Sequence, residues 1–239
     1  MKHSIYISLL LICISVNAQT NVAPKVPEVD SIFSAKLTGD FFFEGKQYIG
    51  EQFYNKDWTE GNILLSTGEN IYVKAIKYNG LFDELIWLNT FNYGKFKLDK
   101  AFIDEFWFKN TLGDNTHFKR INVCDTINVH RPDIFVEVAV QGKVTLYIQR
   151  KISIVGSENV SKNSITYSYD NIEAAPKYYI KLSSNHYLTM NKVRRRAFLN
   201  LFPEKKKTIS KIIRDNRLNI KIESDFIKVI ELMNKEIIL

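Results

Sequence analysis

With 239 residues, 45% of them hydrophobic and 13% aromatic, the chain is long enough to build an ordinary buried core, as one large domain or two small ones. Its two cysteines are Cys13, inside a leader, and Cys124, which excludes a disulfide-stapled scaffold. The net charge of +7 is local: residues 191–221 hold eleven Lys or Arg against Glu204 and Asp215, a net +9, and the rest of the chain after residue 18 sums to −3.

Residues 1–18 open with Lys2 and His3, continue through an apolar run and end in Val16-Asn17-Ala18, the grammar of a secretory signal peptide. A run of about 12 residues makes a helix of roughly 18 Å, too short for a bilayer core of about 30 Å. Ile12 before Cys13 does not suit a lipidation site. The expectation is therefore export, to the periplasm, the outer-membrane surface or the exterior. No later stretch approaches 18 consecutive apolar residues, so no transmembrane span is expected, and a chain ending in helices does not read as an outer-membrane barrel.

Residues 19–35, with Pro24 and Pro27, read as a polar linker. A β-rich domain is expected over residues 36–190. Phe41-Phe42-Phe43, Tyr48, Phe53, Tyr54 and Trp58 either cap a core or offer an exposed ligand platform. From residue 61 to 108 short apolar runs alternate with turns at Ser66-Thr67-Gly68-Glu69 and Asn79-Gly80, a meander, with strand or short helix left open over residues 102–108. In a second block Ile134, Val136, Val138 and Val140 share a strand face, as do Val144, Leu146 and Ile148. A three-residue loop, Gln141-Gly142-Lys143, would align Val138 with Leu146 so that both sets face one side. Residues 156–175 are polar and read as a long loop. Further strands around Ser184-Asn185 lead into the basic tail.

The tail, residues 191–239, reads as two or three helices packed on the β portion. Pro203 and Glu204 suit a helix start. Beyond them Ile209, Ile212 and Ile213 fall on one side, while Lys207, Lys211 and Arg214 line the other. A last helix is expected from Ser224 as N-cap, with the stripe Phe226, Val229, Ile230, Met233 and Ile237. The fold class is α+β: a mostly antiparallel β meander, barrel-like or a sandwich, followed by a C-terminal two- to three-helix tail.

Chemistry is sparse. His117, His130 and His186 form no ligand spacing, so no metal or other cofactor is expected. Cys124, followed by Asp125, lacks a basic neighbour and reads as structural. G-x-S-x-G and phosphate-loop patterns are absent, and the carboxylates Asp83, Glu84, Asp99, Asp104 and Glu105 are no more than any protein carries. The leading expectation is a non-catalytic exported envelope protein. Arg194, Arg195, Arg196, Lys205, Lys206, Lys207, Lys211 and Arg214 would contact an anionic lipid or lipopolysaccharide, an acidic protein or an acidic polysaccharide. Export makes nucleic acid an unexpected partner. Two alternatives stand beside it: a glycan- or small-ligand-binding module using aromatics such as Trp58 and Trp87, and an unrecognised hydrolase.

The order of several short motifs resembles a group of secreted proteins of Bacteroidota: Gly45-Lys46-Gln47-Tyr48, Thr67-Gly68-Glu69, Tyr78-Asn79-Gly80, Asp83-Glu84-Leu85 and Lys97-Leu98-Asp99-Lys100. The second half resembles their tail through Tyr178-Tyr179-Ile180, Leu201-Phe202-Pro203-Glu204, Ile212-Ile213-Arg214-Asp215-Asn216 and Asp225-Phe226. These are turns, caps and core positions. The resemblance implies a Gram-negative envelope and transfers no active-site residue.

Overall fold

The structure, a computed structural model, describes residues 37–109, 115–123, 133–162, 165–182 and 187–236. The leader, the linker, Cys124, His130, His186, Ser184-Asn185 and Ile237 lie outside those residues. Strands β1 (Gly39–Phe41), β3 (Thr59–Leu65), β4 (Asn70–Asn79), β5 (Glu84–Leu88), β6 (Lys95–Leu98), β7 (Ile103–Phe108), β8 (Thr116–Ile121), β9 (Ile134–Val140), β10 (Thr145–Gln149), β13 (Lys177–Lys181) and β14 (Tyr187–Met190) form one sheet. Its order is β1-β6-β5-β4-β3-β7-β8-β9-β10-β13-β14, antiparallel throughout. A second, three-stranded sheet joins β11 (Ile152–Lys162) to β12 (Ile165–Ala174) and β12 to β2 (Tyr48–Ile49). The tail supplies α1 (Arg195–Asn200), α2 (Lys206–Asp215) and α3 (Glu223–Glu236). The fold is α+β, and among the described residues no helix is long and apolar enough to cross a membrane.

The large sheet curls. Tyr78 on β4 and Phe118 on β8 are three strands apart, which in a flat sheet would separate them by about 14 Å. Their ring centroids are 5.0 Å apart, and Phe135 on β9, one strand further, lies 6.4 Å from Tyr78. Phe106 and Phe118, cross-strand partners, stack at 4.8 Å within this aromatic centre. The sheet does not close: β1 and β14 remain its edges. On the same face, further along, Leu146, Ile148, Tyr178 and Ile180 bury against Phe198, Ile209, Ile213, Phe226, Val229 and Ile230 of the helices. One face of a curled sheet thus carries two cores, one filled by its own rings and one by the tail. A smaller cluster, Ile121, Val136, Tyr147 and Tyr179, covers the opposite face.

Four local expectations are corrected. Leu146 pairs with Val140 and Tyr147 with Val138, so Ala139 is an extra residue on β9. This bulge turns Val140 toward the helices and leaves Val138 with Tyr147 on the other side, and the Val138–Leu146 register fails. β9 is buried on both faces, Phe135 on one and Val136 on the other, so apolar alternation could not fix its register. The polar stretch read as a loop is the β11–β12 ribbon, whose outer residues are exposed on both faces and therefore lack an apolar period. Finally, Pro203 and Glu204 sit in the turn before α2, and α3 starts at Glu223, one residue ahead of Ser224.

Candidate functional site

The helices of the basic tail carry a packing face and an exposed cationic face. Along α2 the 100° step places Ile209, Ile212 and Ile213 inward, all buried, and Lys207, Lys211 and Arg214 outward, all exposed. The outward row is one wall of a concavity of about 860 Å³, completed by Arg195 from α1, Lys206 at the start of α2 and Arg217 just past its end. Ile213 and Leu218 contribute its apolar part, and no carboxylate lines it. Among the described residues, the exposed neighbour pair Arg214–Asp215, at 3.2 Å, is the one ion pair any of the six cations makes. Lys206 is held by Asn200 Oδ1 at 3.3 Å.

Five of the eight expected contact residues, Arg195, Lys206, Lys207, Lys211 and Arg214, are therefore brought together. Arg194 and Arg196 are exposed off this wall, and Lys205 is half-buried. Arg217 was missed because it lies beyond the helical row. Its backbone gives it away: φ is +54°, a left-handed conformation unusual for a side chain other than glycine or asparagine. Leu218 N–H donates to Ile213 O at 2.9 Å and Arg217 N–H to Arg214 O at 3.0 Å, a Schellman end in which arginine occupies the glycine position.

The first turns of α2 are electrostatically unfavourable, while Arg214 in its last turn suits the negative end of the dipole. Lys205 caps it with no side-chain hydrogen bond, its first turn has no acidic residue, and Lys206 and Lys207 sit at the positive end of the dipole. Lys207 and Lys211 add a like-charge i,i+4 pair, worth a few tenths of a kcal/mol against the helix, on the order of 0.2–0.5.

The aromatic alternative falls elsewhere. Trp87 is 5% exposed and stacks on Phe96 at 5.4 Å, a core residue with no free face. Trp58 is half-buried and has the Lys77 ammonium over its ring at 5.2 Å. Exposed rings cluster instead at the β1 edge, where Phe41 and Phe43 are 6.2 Å apart and 65% and 80% exposed.

Asp83 borders a concavity of about 450 Å³ and has a perturbed acidity, as Glu84 and Glu105 do beside other concavities. Burial pushes its carboxyl up, against the opposing charge of Lys100. It accepts from Tyr78 Oη at 2.7 Å, Lys100 Nζ at 2.6 Å and Phe135 N–H at 3.2 Å. Both oxygens are thus engaged by the protein, and the residue acts as a clamp between the β4–β5 turn and β9 rather than as a base open to a substrate. His117 stacks on Trp107 at 4.7 Å and contacts Glu105 at 2.8 Å. Among the described residues no three His, Cys, Asp or Glu converge on a common point. Comparison with known proteins finds no matching family model, no matching curated protein and no matching solved structure.

Proposed function

We propose that the protein is a non-catalytic, exported docking module of the cell envelope whose α1–α2 basin binds an anionic surface or acidic partner. The observation that carries this reading is six cationic side chains around one concavity with no lining carboxylate. Packing uses the inward isoleucines, and Lys206, Lys207 and the Lys207–Lys211 pair weaken the helix that bears them. Export and the envelope setting rest on the leader grammar of residues 1–18 and on the resemblance to secreted Bacteroidota proteins.

The test measures binding of the purified protein to vesicles with anionic headgroups and to soluble acidic polysaccharide, from low to high salt. Binding that weakens steeply with salt and disappears in Lys207→Glu/Lys211→Glu/Arg214→Glu supports the reading. No binding to either polyanion at low salt would overturn it. The exposed Phe41–Phe43 edge favours a second reading, a neutral-glycan platform. That predicts salt-insensitive binding lost in Phe43→Ala.

A further inference from the structure

A second basic concavity, about 540 Å³, lies between the base of the β11–β12 ribbon and the beginning of the tail. Lys151 and Lys177 line it from the strand side and Lys192 and Lys221 from the tail, and Glu173 is its one carboxylate. Among the described residues none of these four lysines makes an ion pair, and Lys192 and Lys221 are exposed. Val155, Ala174, Pro176 and Val193 place aliphatic surface among the charges.

Two short chain segments join this cleft to the α1–α2 basin. Val193 lines the cleft and Arg195 the basin, while Leu218 lines the basin and Lys221 the cleft. Two segments therefore pass from one concavity to the other within two and three residues, at most about 8 and 11 Å of chain at 3.8 Å per Cα step. Read as continuous, the cations of the two concavities make one bent track from the helices to the sheet. On the strand side Lys151 and Lys177 also line the concavity that holds Lys100 together with the carboxylates of Asp83 and Asp133.

A bilayer is flat and meets charges that protrude on one plane. A concave, turning track with aliphatic patches between cations matches instead a chain that repeats its anions along its length and has apolar ring faces between them. We propose that the cleft is a second anion site and that a linear acidic polysaccharide occupies cleft and basin together. Its acid groups meet Lys151, Lys177, Lys192 and Lys221 as well as the α2 cations, and its sugar faces rest on Val155, Pro176 and Val193. This rests on the docking reading of the basin.

Two linked sites make affinity depend on ligand length, because the second contact becomes intramolecular. The experiment titrates the protein with short and long fractions of oligogalacturonate and dextran sulfate, and with anionic vesicles. Long chains are expected to bind at least tenfold tighter than short ones. The cleft variant Lys151→Glu/Lys177→Glu/Lys221→Glu should lose that gain while keeping short-chain binding, and the basin variant Lys207→Glu/Lys211→Glu/Arg214→Glu should lose both. If reversal at the half-buried Lys151 and Lys177 unfolds the protein, as read by circular dichroism, Lys177→Gln/Lys221→Gln carries the same comparison. An unchanged length dependence in the cleft variant would overturn the shared track and leave the basin reading intact. Vesicle binding without polysaccharide binding would likewise overturn the proposal, with the membrane as the basin's partner. No binding to any of the probes would overturn both.

Discussion

Replacing Arg217 separates the backbone from the charge at one position of the basin. An L-residue in the left-handed region costs about 1–2 kcal/mol, and Arg217 is held there at φ +54° by the Schellman end of α2. Glycine removes that cost, and its greater freedom in the unfolded chain returns about 0.4–1 kcal/mol. Arg217→Gly should therefore stabilise the protein by about 0.5–1 kcal/mol, a rise in Tm of roughly 1–4 °C for a domain of this size. Arg217→Ala keeps the strained backbone and should stay near wild type. Both lose one cation of the basin, worth about 1 kcal/mol at an anionic surface, so both should bind about fivefold more weakly at low salt. Thermal melts and a salt series of binding titrations on the three proteins decide the matter. If the glycine variant melts no higher than the alanine variant, the strain reasoning is wrong. If both bind like wild type, Arg217 is not part of the docking surface.

Other predictions concern how the tail is fastened and how stability follows pH. Arg150, on the seam between the two cores, donates to Glu137 and to Glu223 at the start of α3, which also accepts from Tyr178 Oη at 2.9 Å. The Arg150 and Glu137 side chains are 19% and 14% exposed, so Arg150→Met strands a largely buried carboxylate and should cost about 3 kcal/mol, with Glu137→Gln restoring part of it; a drop in Tm under about 2 °C would sink the latch. Asn234 on α3 clasps Val144, accepting from its N–H and donating to its C=O, both at 2.8 Å, so Asn234→Ala should cost about 2 kcal/mol and speed hydrogen exchange at the Val144 amide. Asp83 and Glu105 should shape the pH profile in opposite senses. The Asp83 carboxyl is raised by burial above its ordinary 3.8, so its contribution is present below that value and lost as pH rises through the folded pKa. At Glu105 burial pushes the carboxyl up, but hydrogen bonds and charge from Lys119 and His117 outweigh it and hold the group below 4.5; its contribution is lost as pH falls through the folded pKa. Urea midpoints across the acid range should show Asp83→Asn gaining on wild type as pH rises and Glu105→Gln losing ground, and parallel profiles would refute both assignments.

The elements that were legible are those with one wet face and one dry face. Ile209, Ile212 and Ile213 against Lys207, Lys211 and Arg214 define α2, and Phe226, Val229, Ile230 and Met233 define α3, because each stripe meets a single apolar layer. The turns at residues 66–69 and 80–83 were legible from Gly68, at φ +86°, and from the Asn79 side chain, which accepts from Leu81 N–H at 3.1 Å. Where the environment is the same on both faces, the period vanishes. β11 and β12 are wet on both sides and β9 is buried on both, so the ribbon and the Ala139 bulge left no alternating trace. The site was half legible for a related reason. Spacing along α2 finds its own row and the density of charge points to Arg195, but Arg217 and the cleft lysines join through tertiary contacts among the α2–α3 turn, the start of the tail and the ribbon base, and sequence distance says nothing about those.

Between residues 206 and 236 the tail contains two helices that treat charge in opposite ways. α3 begins with Glu223 and Asp225 at the positive end of its dipole, and Asp225 accepts from Asn219 N–H at 2.8 Å. It is also the helix seated on the sheet, through Phe226 in the core, the Arg150 latch and the Asn234 clasp. α2 has lysines where α3 has acids, and no side-chain cap. The contrast identifies where stability is made and where it is given up. α3 holds the tail to the sheet firmly enough that α2, packed on it through three isoleucines, can carry a row of mutually repelling cations facing solvent. On the proposed docking reading, partner charge would relieve that repulsion.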